Sequence, residues 1–433
     1  MNYRQNKFYN RFHKSFQPFT RLLIAVRIAV ILFCFVLLWG FSVSSNFCYS
    51  KGPTTPAKAW VGTWSAASQL VEPRNMPPKP GLSNNTLRQI VCVSIGGESL
   101  QVRFSNEFSK SPVTMETVQI ATSKGGSTID KSTIKKLTFN NMPEVTMKPG
   151  SVVTSDPVSF ELKPRMKVAI TISFKETSQD ITGHPGSRTT SYLLAGNHTL
   201  PDADFKDAVK TDHWYIISGI DVKAPKHAAA IAILGNSITD GRGSGTNKQD
   251  RWPDILAMRL QKNHNTQQIG VLNMGLGGNC VLRGGLGPTA LDRFDRDILK
   301  QNGVRWLIIL EGVNDLGGTE NKEAAEEVAK ELIAAYDKMI DKAHAKGIKV
   351  YGATITPIKK SFYYKDYRES ARNVVNNWIR TSGYFDAVID FDKIIRNPKD
   401  TLSILPEIQS GDYLHPNEQG YQIMGKAIDL SLF

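Results

Sequence analysis

The pattern of hydrophobic and polar positions differs between the two halves of the chain. From Trp60 to about Val222, short runs alternate apolar and polar residues, as in segments 99–105 and 167–174. A period of two with one apolar face is typical of antiparallel strands. Glycine and proline turns separate these runs, so we predict an all-β, sandwich-like domain over residues 59–225.

After residue 225, continuous apolar runs alternate with segments of helical periodicity. Strands alternating with helices predict an α/β domain over residues 226–433, with a parallel sheet covered on both faces. In such a sheet, reactive loops lie at the carboxyl ends of the strands. The expected strands are 228–234, 269–274, 306–310, 349–354 and 387–391, and the expected helices are 253–263, 322–346 (ended by Gly347), 367–381 and one from Pro416.

The first 58 residues are predicted to be a signal peptide or membrane anchor followed by a linker. Residues 28–43 form an apolar run that follows a basic segment and precedes small and polar residues. This is the pattern of a secretory signal, although an uncleaved anchor remains open, as does lipidation of Cys48. In each case the bulk of the chain is expected outside the cytoplasm: periplasmic, extracellular or anchored facing outward. Any membrane contact would be through this segment.

The formal charge of +13 is concentrated at the N-terminus, where residues 1–58 hold eight Lys or Arg and no acid. The remainder carries only +5, with no basic half, so a nucleic-acid partner is not expected. The chain has four cysteines, of which Cys34 and Cys48 lie in or beside the apolar segment. The other two, Cys92 and Cys280, are too few for a disulfide framework or a zinc site.

A serine follows the first strand of the α/β region at the position expected for an exposed nucleophile. Ser237 comes two residues after Gly235, in the loop at the strand's carboxyl end. A serine hydroxyl needs a histidine base and an acid that orients the base. Asp412 and His415, three residues apart before the last helix, are the candidates. A second pair at the same spacing, Asp341 and His344, falls on the long helix, where we expect a solvated face.

Two further loops are candidates for stabilising an oxyanion. The strand 306–310 leads into Gly312 and Asn314, and the side-chain amide of Asn314 can donate to a developing negative oxygen. The strand 269–274 leads into the glycine-rich turn 275–279, where a backbone amide can approach the same point. Taken alone, each of these features could also be only a turn.

These four blocks, GNS, NxGxGG, GxND and DxxHP in this order, resemble the GDSL-type hydrolases, also called the SGNH superfamily. The resemblance implies a flavodoxin-like, three-layer hydrolase domain with Ser237 as nucleophile and Asp412 orienting His415. It also implies an oxyanion hole formed by the amides of Ser237 and Gly278 and by the Asn314 side chain; the family spacing favours Gly278, and Gly277 remains an alternative.

One departure from the family pattern concerns the residue before the serine. The family usually has Asp where Asn236 stands. Asn keeps a hydrogen-bonding side chain but removes the charge. The departure therefore affects the network around the loop more than the nucleophile itself.

A closer resemblance links nearly all of residues 59–433 to two-part esterases like those encoded beside xylan-degrading enzymes. It rests on segments 60–69, 86–108 and 287–299. It implies a β-rich domain fused to the esterase and O-acetyl groups on plant polysaccharides as substrates. The family also includes aryl-ester and lipid hydrolases, so the substrate is not fixed by the resemblance.

The leading hypothesis is therefore an exported serine esterase that requires no metal or organic cofactor and acts on an acylated carbohydrate or another small ester. An aryl-ester or lipid acylhydrolase is the alternative within enzymes. A non-catalytic carbohydrate-binding envelope protein is the alternative outside them.

Arg188 and Arg283 are candidates for substrate contact from either side of an interdomain cleft. Three tryptophans of the β region are expected in its core, with sugar stacking as the other interpretation: Trp60, Trp64 and Trp214.

Overall fold

The computed structural model describes residues 58–198 and 205–433. The predicted signal or anchor, with Cys34 and Cys48, lies outside the described residues, and its function stays a prediction. Within the described ranges, no helix is long and apolar enough to cross a membrane. The described residues all belong to one compact unit, Pro56–Phe433.

The first half consists mostly of antiparallel β-structure. In one sheet the order is Lys58–Ser65, Ile217–Pro225, Gly97–Asn106 and Val158–Leu162, with Ser151–Thr154 also pairing to Gly97–Asn106. A second sheet is centred on Lys167–Glu176, which pairs on one side with Asn85–Cys92 and on the other with Val113–Gly125. The remaining strands of this half are Thr128–Ile129, Lys135–Leu137, Val145–Met147, Ser191–Ala195 and Val209–Thr211 in the second sheet, and Gln69–Leu70, Thr182–His184 and Trp214–Tyr215 in a small third sheet.

Alternation of side chains explains why these strands pack. Leu100, Val102 and Phe104 on one sheet and Ile170 and Ile172 on the other are fully buried in one hydrophobic cluster. This arrangement is consistent with a sandwich, in which the inner faces of two sheets form the core.

Two of the three tryptophans belong to this core. Trp64 and Trp214 are buried and meet edge to face, with ring centroids 4.9 Å apart. The expectation that they fill the core is therefore confirmed. Trp60 is half-buried in the first strand.

The second half is α/β, with a five-stranded parallel sheet. Its spatial order is Ile269–Gly275, Ala229–Gly235, Val304–Leu310, Lys349–Ala353 and Ala387–Ile389, so the first strand in the chain is second in the sheet. All neighbouring pairs are parallel. The helices are Ser237–Asp240, Trp252–Lys262, Ala290–Phe294, Asp295–Leu299 (a π-helix), Val313–Gly317, Lys322–His344, Asp366–Thr381, Phe391–Ile395 and Glu418–Ala427, and a small hairpin joins Arg396–Asn397 to Asp400–Ile404.

Helices cover both faces of the parallel sheet. Lys322–His344 and Asp366–Thr381 pack in one hydrophobic cluster with residues of the sheet, and Trp252–Lys262 and Glu418–Ala427 pack in another. The strand Ala229–Gly235, in the interior of the sheet, is completely buried, as expected when both faces are covered.

The boundaries of the longest helix, Lys322–His344, could be predicted because residues typical of helix ends stand on both sides of it. Asn321 caps its first turn by accepting a hydrogen bond from the backbone amide of Ala324. The chain leaves it through Gly347, whose φ of +72° suits glycine. Asp341 and His344 both lie on its exposed face, as expected, and His344 bonds to Asp386.

The two halves pack directly against each other at the amino ends of the parallel strands. Gly62 donates a backbone hydrogen bond to Asn302, and the Ser94 hydroxyl accepts one from the amide of Val271. The approach is close, because a Cβ at Gly62 would lie 2.8 Å from a terminal methyl of Leu272, whose side chain would then have to shift. The opposite edge of the sheet holds the site described next.

Candidate active site

The serine loop begins where the strand Ala229–Gly235 ends. Asn236 caps the short helix Ser237–Asp240, because its Oδ1 accepts a hydrogen bond from the amide of Ile238 at 3.0 Å. Its Nδ2 donates to the buried carboxylate of Glu311 at 3.2 Å. An aspartate here would place two acidic groups face to face, whereas the amide supplies a donor. Both polar atoms of the Asn236 side chain thus have hydrogen-bond partners, although the family usually has an aspartate at this position.

Ser237, His415 and Asp412 form one hydrogen-bonded chain. The Ser237 Oγ lies 2.8 Å from His415 Nε2, and His415 Nδ1 lies 2.7 Å from an Asp412 oxygen. Ser237 and His415 are 7% and 2% exposed, whereas Asp412 is only partly buried. A nucleophile, a base and an orienting acid at hydrogen-bond distance are what serine catalysis requires.

The acid and the base affect each other's ionisation. Burial acts to raise the pKa of Asp412, but hydrogen bonds from the backbone and ring of His415 outweigh it and leave that pKa below its usual range. Burial lowers the pKa of His415 below 6.5, and the Asp412 charge opposes this shift only in part. His415 is therefore neutral near pH 7, as a general base must be.

The loop that carries this pair is held by backbone contacts. One Asp412 oxygen accepts hydrogen bonds from the amides of Leu414 and His415. Gln409 and Pro416 pair across the base of the loop, so the chain turns back before the last helix. Because Asp412 and His415 are three residues apart in a loop held in this way, the imidazole of His415 has a fixed orientation.

The expected oxyanion donors line the same pocket as Ser237. This pocket includes Gly277, Gly278 and Asn314. Among the described residues, the backbone amide of Gly278 donates to no other group. The Asn314 Nδ2 donates to the carbonyl of Asn279 at 2.6 Å, and its Oδ1 accepts from the Tyr363 hydroxyl at 3.0 Å. These contacts fix the amide and leave its second N–H without a partner among the described residues.

Asp315, the last residue of the GxND block, holds the glycine turn in place. Its carboxylate accepts hydrogen bonds from the backbone amides of Val281 and Leu282, at 2.9 Å each. Burial raises the pKa of Asp315, and these two amides oppose the rise. The contact joins the loop that bears Gly278 to the loop that bears Asn314. The sequence analysis assigned no function to Asp315, although its place in the block was a signal.

A buried ionic network behind the loops was also missed. Arg293 is fully buried and donates to the backbone carbonyls of Gly235 and Met274, to the Asn279 side chain and to Asp297. It also lies 3.4 Å from Glu311. Burial raises the pKa of Glu311 to about 8, with Arg293 opposing the rise. Arg293 belongs to segment 287–299, which the sequence analysis used only as a mark of resemblance.

The candidate catalytic pocket, which contains Ser237 and His415, has a volume of about 350 Å³ and is lined by both halves of the chain. The α/β half supplies Ser237, His415 and the loops around them. Arg188, one of the two arginines expected to contact substrate, lines the pocket. Arg283, the other, lines a neighbouring pocket and pairs with Glu331. The residues from the β half include Glu72, Arg74, Asn75, Gly186, Arg188 and His213.

A metal site or a reactive thiol would need particular side chains within the described ranges. Residues 58–198 and 205–433 contain no group of three or more His, Cys, Asp or Glu side chains placed to hold a metal ion. Cys92 and Cys280 are unpaired, and burial raises the pKa of Cys280 to about 12. Its thiol is therefore a poor nucleophile.

Comparison with protein families gives one match. Residues 233–423 match the GDSL-like Lipase/Acylhydrolase family. The match contains all four sequence blocks and the three residues of the hydrogen-bonded chain. No curated protein matches the chain.

Solved structures similar to this chain cover its second half. A member of the lipolytic G-D-S-L family from Veillonella parvula is 20% identical over 46% of this chain and 96% of its own, with a TM-score of 0.33. A GDSL-like lipase from Bacteroides thetaiotaomicron is 19% identical over 47% and 87%, with a TM-score of 0.34. A catalytic mutant of an acetylxylan esterase from Geobacillus stearothermophilus is 17% identical over 47% and 94%, with a TM-score of 0.35.

Proposed function

We propose that the chain, whose residues 233–423 match the GDSL-like Lipase/Acylhydrolase family, is a carboxylic ester hydrolase that works as a serine esterase through an acyl-enzyme on Ser237. The observation that carries this proposal is the continuous chain from Ser237 through His415 to Asp412, with distances of 2.8 and 2.7 Å.

In the first half-reaction, His415 takes the Ser237 proton as Oγ attacks the ester carbonyl. The tetrahedral oxygen is stabilised by the amides of Ser237 and Gly278 and by the Asn314 side chain. His415 then gives its proton to the departing alcohol. Asp412 stabilises the charged imidazole between these steps and keeps its Nε2 directed at the serine.

In the second half-reaction, water replaces the alcohol. His415 takes a proton from the water as its oxygen attacks the acyl carbonyl. Collapse of the second tetrahedral intermediate releases the carboxylic acid and returns the proton to Ser237. Neither half-reaction, as written, uses a metal or an organic cofactor.

For the substrate, we propose O-acetyl esters on plant polysaccharides such as xylan, hydrolysed by an exported enzyme. The resemblance to two-part esterases supports this class, and so do the polar and charged side chains among the residues that line the pocket. A lipid or aryl-ester acylhydrolase remains the alternative among enzymes. A non-catalytic carbohydrate-binding protein is disfavoured because all four sequence blocks meet at one pocket.

For the domain organisation, we propose a β-sandwich accessory domain over residues 59–225 and a flavodoxin-like hydrolase domain over 226–433. The change from antiparallel to parallel pairing between Ile217–Pro225 and Ala229–Gly235 supports this division. Since residues of the β half line the pocket, the accessory domain takes part in substrate binding.

Ester hydrolysis, measured as acetate released from xylan and as p-nitrophenol released from synthetic esters, tests the proposal. The chain lacking residues 1–58 would be assayed on acetylated xylan and on p-nitrophenyl esters of two, four and eight carbons, beside Ser237→Ala. We expect activity on xylan and the shortest ester, with turnover reduced up to ~10⁶-fold by Ser237→Ala. A preference for longer acyl chains would favour the lipid or aryl-ester alternative. Hydrolysis that is independent of Ser237 would contradict the mechanism.

A further inference from the structure

Three arginines line the catalytic pocket, and the mechanism uses none of them. Arg74 and Arg188 come from the β half, and Arg242 follows the serine helix. Within residues 58–198 and 205–433, the guanidinium groups of Arg74 and Arg242 form no hydrogen bond or ion pair, and both residues are exposed. Their donors are therefore available to a ligand in the pocket.

Arg188 is held at the pocket wall by the α/β half. Its φ of +50° is unusual for a residue with a side chain. Hydrogen bonds to Asn247 of the α/β half hold this conformation. The Arg188 carbonyl accepts a hydrogen bond from the backbone amide of Asn247, and the Asn247 side chain accepts one from the backbone amide of Thr190. Strained backbone of this kind persists where surrounding contacts determine it and is common at ligand sites.

The guanidinium of Arg188 is incompletely paired. Its Nε is buried and has no hydrogen-bond partner. Its nearest acid is Asp240, with Nη2 and Oδ2 3.9 Å apart. That separation is beyond hydrogen-bond distance. Arg188 is thus oriented by Asp240 while donors remain unused.

The two acids that line the pocket are already engaged. Glu72 accepts hydrogen bonds from the side-chain amides of Gln69 and Asn75, at 2.6 and 2.9 Å. One Asp240 oxygen pairs with the buried His184 at 2.9 Å, and the other, which has no hydrogen-bond partner among the described residues, lies 3.9 Å from Arg188. The groups left for a ligand at this wall are therefore mainly the cationic donors of the arginines.

The arginines also lie close to the reacting groups. Arg242 and Arg188 both act on His415, where their positive charges add to the effect of burial in lowering its pKa. A negative group bound by these arginines would thus lie beside the ester that Ser237 attacks. Guanidinium groups match carboxylates in geometry as well as charge, because their N–H groups form a planar fork.

We propose that Arg74, Arg188 and Arg242 form a carboxylate-binding subsite, so that the enzyme prefers esters that carry a carboxylate over neutral esters of the same shape. This inference rests on the proposed function, since it names a substrate class for the same site. For a polysaccharide substrate, the carboxylate would be that of an acidic sugar residue near the acetylated position.

The test compares matched ester pairs. On the alcohol side the pair is 3-acetoxybenzoate and the neutral 3-acetoxybenzamide, and on the acyl side p-nitrophenyl succinate and p-nitrophenyl butyrate. At pH 8, where His415 is neutral, we expect kcat/KM to favour the anionic member of at least one pair by about tenfold, the effect of a charged hydrogen bond. Raising the salt concentration should reduce this ratio by screening.

Variants connect the preference to the arginines. In Arg242→Gln and Arg188→Gln the ratio should fall toward one, mainly through KM for the anionic ester, and in Arg242→Glu it should fall below one. Arg188→Lys should keep part of it. Because Arg242 is exposed, its variants remain informative even if Arg188→Gln folds poorly. Arg305→Gln is the control, since this exposed arginine lies at the amino end of a parallel strand, away from the pocket.

Each outcome has a distinct meaning. Equal rates on both members of both pairs, or a preference that survives in the Arg188 and Arg242 variants, would overturn the subsite while the serine mechanism stands. If neither member is hydrolysed in a Ser237-dependent way, the proposed function fails, and the subsite with it. Acetylated glucuronoxylan, before and after reduction of its carboxylates, extends the comparison to the polymer, where we expect slower acetate release after reduction.

Discussion

At the scale of single residues, the proposed chemistry depends on a neutral His415 in contact with Ser237. Burial of the imidazole favours the neutral form, and the Asp412 charge limits how far its pKa falls. Asn236 and Asp315 support the loops of the site. Asn236 caps the helix that begins at Ser237, and Asp315 joins the loop that bears Gly278 to the loop that bears Asn314. The reacting groups are thus few, and their neighbours determine their orientation and charge.

A pH profile tests this view of His415. Protonation removes the base, so kcat/KM should decrease as pH falls through the lowered pKa, with a midpoint below 6.5. Asp412→Asn removes the charge that raises this pKa, so the midpoint should move lower still, while the rate drops by up to ~10⁴. The control is Asp341→Asn, in the exposed pair of equal spacing, which should change neither. A midpoint that rises in Asp412→Asn would contradict the assignment.

Substitution of Asn314 tests the oxyanion hole. Asn314→Ala removes a donor used mainly in the transition state, so kcat should fall ~10²–10³-fold with little change in KM. Steady-state kinetics on p-nitrophenyl acetate measures both constants. The exposed Asn377 of helix Asp366–Thr381 provides the matched control, and Asn377→Ala should behave as wild type. An equal loss in both variants would point to a general effect on folding.

The residues proposed to react could be predicted from the sequence, whereas the residues that hold them in place could not. Ser237, Asp412, His415 and Asn314 stand in short blocks at strand ends, and the topology of a parallel sheet brings such ends together. Arg293 and Glu311 lie 18 positions apart in the chain and meet only because two loops fold over one another. No local sequence pattern indicates such a contact. The expected contact of Arg283 with substrate stays a prediction, since the pocket that it lines shares Gly278 and Asn314 with the pocket that holds Ser237.

At the scale of elements, the parallel sheet and the helices packed on it bring the loops of the candidate site together at the carboxyl ends of the strands. Strands predicted from continuous apolar runs agree with the structure to within about two residues at each end, because burial on both faces leaves a strong pattern. In the β half, short strands were predicted in general but only segments 99–105 and 167–174 were named, and the π-helix Asp295–Leu299 was not predicted. The pairing of the short strands depends on distant partners, so their local sequence carries little signal.

The helix Lys322–His344 offers a test of the core at this scale. Leu332 is fully buried against the sheet, so Leu332→Ala should lower the free energy of unfolding by about 2–5 kcal/mol. Denaturant unfolding followed by circular dichroism measures the change. Val374 is 55% exposed on the neighbouring helix, and Val374→Ala should stay within about 0.5 kcal/mol of wild type. Similar losses in the two variants would contradict the packing described here.

At the scale of the whole molecule, the two halves act as one structure. The catalytic pocket has walls from both, and the buried contact between His184 and Asp240 joins them three residues after the serine. The sequence predicted two regions correctly in character, but how their surfaces meet could not be inferred from either pattern. The β half is thus part of the site rather than an appended module.

Removal of His184 tests the junction. His184→Ala leaves the buried carboxylate of Asp240 without this partner, which should cost about 1–3 kcal/mol of stability. Activity should fall as well, because Asp240 lies in the serine helix. His184→Gln, which can still donate to Asp240, should recover part of both. Thermal unfolding and kcat measured on the same preparations provide the comparison, and an unchanged kcat in His184→Ala would show that the junction does not support the site.

The central claim, that Ser237 is a nucleophile activated by His415, is tested most directly by covalent labelling. The protein would be treated with diisopropyl fluorophosphate and the modified peptide located by mass spectrometry, with Ser237→Ala and His415→Ala treated in parallel. We predict one adduct on Ser237 in the wild-type protein, and none on the peptide containing position 237 in either variant. Labelling of a different residue, or equal labelling of Ser237 without His415, would contradict the account.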